Sequence, residues 1–174
     1  MPHSEQRLVL EGILTTVNED GTVNVAPMGP VVDRQRARFE LRPYSTALTH
    51  FNLKRTGRAV FHVVDDVDLL ARAAVGRLME PPAMRRGPSG DDWILEDACH
   101  WFVLRVESFD DRNARASVAC SVVEQGRGRD FFGLNRGKHA VVEAAILATR
   151  IGLLPADEIQ REFERLRVLV EKTG

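Results

Sequence analysis

The sequence predicts a mainly β protein of the α+β class, a barrel or sandwich of strands followed by a C-terminal helical hairpin. Short apolar runs separated by turn signals fill the chain as far as Gly126, after which the hydrophobic period lengthens to that of helices. Strands first and helices last is the order of such architectures. No internal repeat is present.

Leu8 to Val17 reads as the first strand. Glu19-Asp20-Gly21 then predicts a tight primed turn, because Asp-Gly tolerates positive φ. Thr22 to Val32 pairs back, but Ala26-Pro27-Met28-Gly29-Pro30 interrupts it. Two prolines remove ladder donors, so this strand must bulge or lie at an edge, where a flat ligand could approach the backbone. Asp33-Arg34-Gln35-Arg36 is a turn. Arg38 to Arg42 alternates, with Phe39 and Leu41 inward. A short helix opens at Ser45 and stops near Thr56-Gly57, with Leu48 and Phe51 anchoring it to the core. Ala59 to Val64 is a central strand, and Asp65-Asp66 caps a helix running to about Val75.

Pro81, Pro82, Gly87, Pro88 and Gly90 make residues 76–97 a long loop, a flap or a dimer arm. Cys99 to Phe109 and Ala114 to Glu124 form a long hairpin with Ala116, Val118, Cys120 and Val122 on one face. Lys138 to Leu153 and Ala156 to Lys172 are helices, Pro155 starting the second. Ile159, Phe163, Leu166 and Val170 give that helix an apolar stripe. The domain reading is therefore residues 1–126 as the β unit and 127–174 as a helical subdomain.

Composition narrows the function classes. The 174 residues carry 24 Lys and Arg against 25 Asp and Glu, for a net charge of -1. Such a balance gives no reason to expect nucleic acid or an acidic membrane as partner. Cys99 and Cys120 sit in apolar runs and read as buried free thiols rather than a secreted disulfide scaffold. Met1 to Arg7 lacks an apolar signal segment and no run is of membrane-spanning length, so a cytoplasmic, soluble protein is expected.

Arg42-Pro43-Tyr44-Ser45-Thr46-Ala47-Leu48-Thr49-His50-Phe51-Asn52 is the leading candidate for chemistry. An arginine precedes a helix start whose unpaired N–H groups favour anions, and Ser45, Thr49 and Asn52 share one helical face. A phosphate seat and an ordinary Ser-capped surface helix are both open. Asp65, Asp66 and Asp68 read as a helix start rather than a metal cluster, and no metal site is expected. Cys99 and His100 point to opposite faces of a strand and form no nucleophile–base pair. Asn135-Arg136-Gly137-Lys138-His139 opens a helix, either as a ligand site for an acidic group or as a cap, with Glu143 as partner for His139.

Taken together, Thr15-Thr16 before Asp20-Gly21, Ala26-Pro27-Met28-Gly29, the spacing of Ser45, Thr49 and Asn52-Leu53, and Val64-Asp65-Asp66 resemble the DUF447 family. Gly133, Asn135-Arg136, Lys138 to Ala144 and Thr149-Arg150 match its C-terminal part, so the resemblance spans nearly the whole chain. That family is similar to the flavin reductase-like, FMN-binding split β-barrels, which form homodimers with flavin at or near the subunit interface. The resemblance implies a split β-barrel over 1–126 and FMN as cofactor. Its phosphate would sit against Arg42, Ser45, Thr46, Thr49 and Asn52, and its ring along Ala26, Pro27, Met28 and Gly29. Pro30 removes one N–H that could address the ring.

The implied activity is electron transfer from a reduced nicotinamide or deazaflavin to an unidentified acceptor, with a homodimer as the assembly. No protein acid is demanded; His100, Lys138 and His139 are the only candidates. A non-catalytic flavin carrier, sensor or scavenger, and a structural dimer with an empty barrel site, are the alternatives.

Overall fold

The computed structural model describes residues 8–174. The reading of Met1 to Arg7 as free of a targeting segment lies outside them. The described residues pack as two compact units, one of residues 8–64 and 81–129, the other of 65–80 and 130–174.

The first unit is a strongly curled antiparallel sheet. Its strands are β1 (Leu8–Val9), β2 (Gly12–Val17), β3 (Val23–Met28), β4 (Val31–Val32), β5 (Arg38–Leu41), β6 (Arg58–Val63), β9 (His100–Asp110) and β10 (Ser117–Arg127). They lie in the order β1-β4-β5-β10-β9-β6-β2-β3. The expected first strand is thus two: Leu10-Glu11 breaks it, β1 pairing with β4 and β2 with β3 and β6. The Leu10 N–H reaches the Pro30 carbonyl at 3.0 Å, bringing the two edges of the sheet together. Inside the curl, Leu14, Phe39, Leu41, Leu53, Phe61, Phe102, Leu104 and Val118 form the core. The Phe39 ring tilts against both Phe61 and Phe102, with centroids 5.5 and 5.3 Å away.

β3 is an edge strand in regular register with β2, so the edge rather than a bulge accommodates Pro27. The turn before it is not a primed one. Gly21 alone has positive φ there, its N–H donating to the Asn18 carbonyl at 3.1 Å while Asn18 N–H donates to Thr22 at 2.8 Å. A primed turn of type I′ would also need positive φ at Asp20. The long hairpin β9–β10 carries irregularities at Ala119/Cys120 and Val122/Glu124, which bend it around the core.

Helix α1 runs Leu48–Thr56, three residues later than expected, and ends on Gly57 at φ 64°. Its inward face also differs. Leu48 and Phe51 are exposed, whereas Thr49, His50, Asn52 and Leu53 are buried. Polar partners on β2 and β3 draw the threonine and asparagine inward.

Residues 76–97 are not a flap. Within them β7 (Met84–Arg86) and β8 (Trp93–Leu95) form a small hairpin. Ile94 and Leu95 are buried, the Thr15 hydroxyl donates to the Trp93 carbonyl at 2.9 Å, and Leu95 N–H donates to His62 Nε2 at 3.1 Å. Arg58 pairs with the buried Asp92 at 2.6 Å, and the Ser89 hydroxyl donates to the same carboxylate at 2.9 Å.

The second unit contains α2 (Val67–Ala74), α3 (Arg136–Ala148) and α4 (Ala156–Thr173). Asp66 caps α2, accepting from Leu69 N–H. α3 stops at Ala148 rather than Leu153, and Gly152 turns the chain at φ 85° into α4, whose N-cap is Pro155. α2 packs on α3, so this segment of the chain belongs with the C-terminal helices.

Candidate functional site

Ala26, Pro27, Met28 and Gly29 leave the edge strand β3 beside the segment that follows β5. With Arg42, Pro43, Tyr44, Ala47, Thr49 and Arg115 they line a cleft of about 260 Å³. One wall is therefore a sheet edge broken by proline and glycine; the other is the approach to α1.

Each side chain has a local cause. β5 ends at Leu41, and Arg42 is exposed, with no hydrogen-bond or ion-pair partner among the described residues. Pro43 is buried, and Tyr44 bridges to Arg115. The Arg115 guanidinium donates to the Tyr44 hydroxyl at 2.8 Å and lies 4.2 Å from the ring centroid. That stacking fixes its orientation at the rim. Arg115 lines the cleft beside the residues named from the sequence, though nothing in the sequence singles it out.

Ser45 and Thr46 form the turn before α1 and precede the helix proper. Ser45 uses its N–H on the Ala114 carbonyl at 2.9 Å, and Ala47 is the N-cap without a side-chain bond. The amides of Leu48 and Thr49, in the first helical turn, have no acceptor within the helix. Thr49 Oγ1 accepts from Asn24 Nδ2 at 3.0 Å, leaving its own hydroxyl hydrogen to donate. Asn52 is turned away from the cleft. Its Nδ2 lies 3.0 Å from Thr16 Oγ1 and 2.7 Å from Asn18 Oδ1. Thr16 also accepts from Asn24, so Asn52, Thr16, Asn24 and Thr49 form one network under the cleft. At the opposite wall, a Cβ on Gly29 would fall 2.8 Å from the Glu11 carboxylate, so a larger residue there would push that side chain aside.

Two guanidiniums, those of Arg42 and Arg115, line the cleft, and the Glu11 carboxylate lies against Gly29 at its edge. Guanidiniums of this kind match the oxygens of an anion. His100 is half-buried on β9 and does not line the cleft. Cys120 is buried, its thiol pushed up to about 12 by burial and then by Glu107. Such a thiol is inert at neutral pH.

Within the Asn135–His139 motif, Asn135 and Lys138 make structural bonds. Asn135 caps α3 by accepting from Lys138 N–H, and its Nδ2 ties down the Thr173 carbonyl at 2.8 Å. Lys138 Nζ donates to the Asp65 carbonyl at 2.9 Å, and Asp65 Oδ2 accepts from Phe132 N–H at 2.6 Å. Asp66 is a cap and Asp68 pairs with Arg72, which accounts for that acidic run.

A curled antiparallel sheet closed edge to edge, with a short helix α1 between β5 and β6, is the fold of the flavin reductase-like split β-barrels. Within that class, this chain belongs to the DUF447 family of proteins of unknown function. The family's N-terminal domain model matches residues 10–129 and a second model matches residues 135–174.

Among solved structures, the chain is similar to the FMN-bound protein MM1853 from Methanosarcina mazei, itself a DUF447 protein. The identity is 22%, over 98% of this chain and 89% of that one, with a TM-score of 0.82. A flavin reductase domain protein from Arthrobacter sp. FB24 is 24% identical over 69% of this chain and 79% of its own, with a TM-score of 0.58. The styrene monooxygenase flavin reductase of Pseudomonas putida S12 is 16% identical over 70% and 82%, with a TM-score of 0.55. No curated protein matches the sequence. Among the described residues no helix is long and apolar enough to cross a membrane.

Proposed function

We propose that this protein binds FMN in the Arg42–Arg115 cleft as a homodimer, and passes electrons from a reduced nicotinamide or deazaflavin to a small-molecule acceptor. The observation that carries the binding reading is the unpartnered Arg42 guanidinium beside Arg115, both facing the broken edge of β3. The relatives named FMN-bound and flavin reductase support it.

The residues present fit the cofactor. Arg42 and Arg115 would hold the phosphate, each through charge-assisted hydrogen bonds of about 1.5–3 kcal/mol. The Thr49 hydroxyl and the first amides of α1 add donors, with Ser45 and Thr46 alongside in the turn. Ala26 to Gly29 offer an open backbone edge to the polar rim of the ring, while Asn52 positions Thr49 through the buried network. The redox chemistry itself would come from the flavin. At about 260 Å³ the cleft lies below the usual range for pockets that enclose a ligand, and Tyr44, Leu48 and Phe51 stand exposed next to it. A second subunit would cover both.

Absorbance and melting titrations with FMN test this. At a hundred times its dissociation constant FMN should stabilise the native state by about 2.7 kcal/mol. R42A and R115A should each weaken binding about tenfold or more. Unchanged affinity in both variants removes the site. A cleft lined by two guanidiniums equally suits a non-catalytic flavin carrier. Bleaching of bound FMN by a reduced nicotinamide or deazaflavin, followed by turnover, separates the enzyme from the carrier.

A further inference from the structure

We propose that Arg36, His100 and Arg127 form a second anion site, which takes the phosphate or pyrophosphate group of a small molecule. It lies toward the opposite end of β10 from Arg115 and is independent of the flavin reading.

Arg36 is the one non-glycine residue with a left-handed φ, 55°, among the described residues. That conformation is disfavoured for an L-residue. The turn is locked into it: Arg36 N–H donates to the Asp33 carbonyl at 3.1 Å, and the Asp33 carboxylate accepts from Ala37 and Arg38 N–H at 2.8 and 3.1 Å. The consequence is that a long cationic side chain points back across the sheet. Its Cζ lies 5.4 Å from the centroid of the Phe102 ring on β9.

His100 stacks on the same ring, with centroids 4.4 Å apart and planes 16° from parallel. Arg127 is the direct cross-strand partner of His100 in the β9–β10 ladder, so the two share a face. Two basic side chains thus lie against one aromatic ring, and a third stands across the ladder from His100. Neither guanidinium has a carboxylate partner among the described residues, whereas Arg58, Arg112 and Arg129 of the same unit each have one. Burial first, then the charges of Arg36 and Arg127, hold His100 below its usual range.

Arg36 and Arg127 are exposed and flank the half-buried His100, and positive potential gathered there attracts anions. Guanidinium forks match the oxygens of phosphate, and the imidazole can add a donor once an anion is bound beside it. Two fixed positive charges select a doubly charged oxyanion over a monocarboxylate.

The test is a titration of the full chain with inorganic pyrophosphate and, separately, with a nucleoside diphosphate, following the His100 ring by NMR. Saturating shifts are expected with both probes; tighter binding of the nucleotide would identify the source of the phosphate. R36G should keep or raise the melting temperature, because glycine suits that φ, yet bind the anion about tenfold more weakly. R127A should weaken it similarly, and the His100 response should persist in R42A. A His100 signal unmoved by millimolar pyrophosphate, equal affinity in R36G, or loss of the response in R42A would each overturn the assignment.

Discussion

His62 shows how much one side chain decides. It is fully buried between β2 and the β7–β8 hairpin, with Nδ1 3.2 Å from the Ile13 carbonyl and Nε2 accepting from Leu95 N–H at 3.1 Å. Both bonds require the neutral ring with its hydrogen on Nδ1. Burial lowers its pKa to about 4, opposed only by the Ile13 carbonyl. The unfolded chain, near the ordinary 6.5, therefore binds more protons than the native state between these values. His62's contribution is complete above pH 6.5 and is lost as pH falls through 4, amounting to about 3 kcal/mol. Urea unfolding at pH 7, 5.5 and 4.5 should show this slope in the wild type. H62L should be less stable at pH 7 and have the slope reduced by about one proton; an identical slope would remove His62 as the cause. Nothing local marks this residue in the sequence, because its role depends on Ile13 and Leu95. Arg115 is hidden for the same reason, being 71 residues from the Tyr44 it stacks on. That Arg42 and Pro27-Met28-Gly29 share a cleft was legible because their signals, an arginine at a strand end and a proline-broken strand, are local.

At the scale of elements, periodicity located the strands and helices well, and failed where partners override it. The α1 face is one case: Leu48 and Phe51 look like anchors, but Asn24, Thr16 and Asn18 offer hydrogen bonds that bury Thr49 and Asn52 instead. The 76–97 segment is the other. Its prolines and glycines read as loop, yet Gly87 to Gly90 simply form the turn of β7–β8, with Gly90 N–H donating to the Gly87 carbonyl at 2.9 Å. Three-residue strands are too short to declare a period. The hairpin's weight is measurable through Ile94, which is fully buried against Val60, Trp101 and Val103. I94A should cost about 2–5 kcal/mol by equilibrium unfolding, the range for buried Ile to Ala. A mobile flap would lose a few tenths of a kcal/mol, and such a value would contradict the packing described here.

For the whole molecule, the open question is what covers the cleft. Tyr44, Leu48 and Phe51 are each about half exposed, at 50%, 59% and 55%, on the same short stretch that carries Arg42 and Thr49. Isolated exposed apolar residues need no explanation, but three beside an open cleft mark an interaction face. The net charge of -1 gives two copies little reason to repel one another. If a second copy covers this face, FMN affinity and association are one linked equilibrium, since whatever binds only the assembled form stabilises it. Sedimentation should then give twice the chain mass, and the L48D/F51D variant should sediment as a monomer and bind FMN more weakly. R42A provides the contrast, because it should lose FMN affinity while staying dimeric. A dimer that persists in L48D/F51D with normal FMN binding would move the interface away from α1 and leave the cleft to hold its ligand unaided.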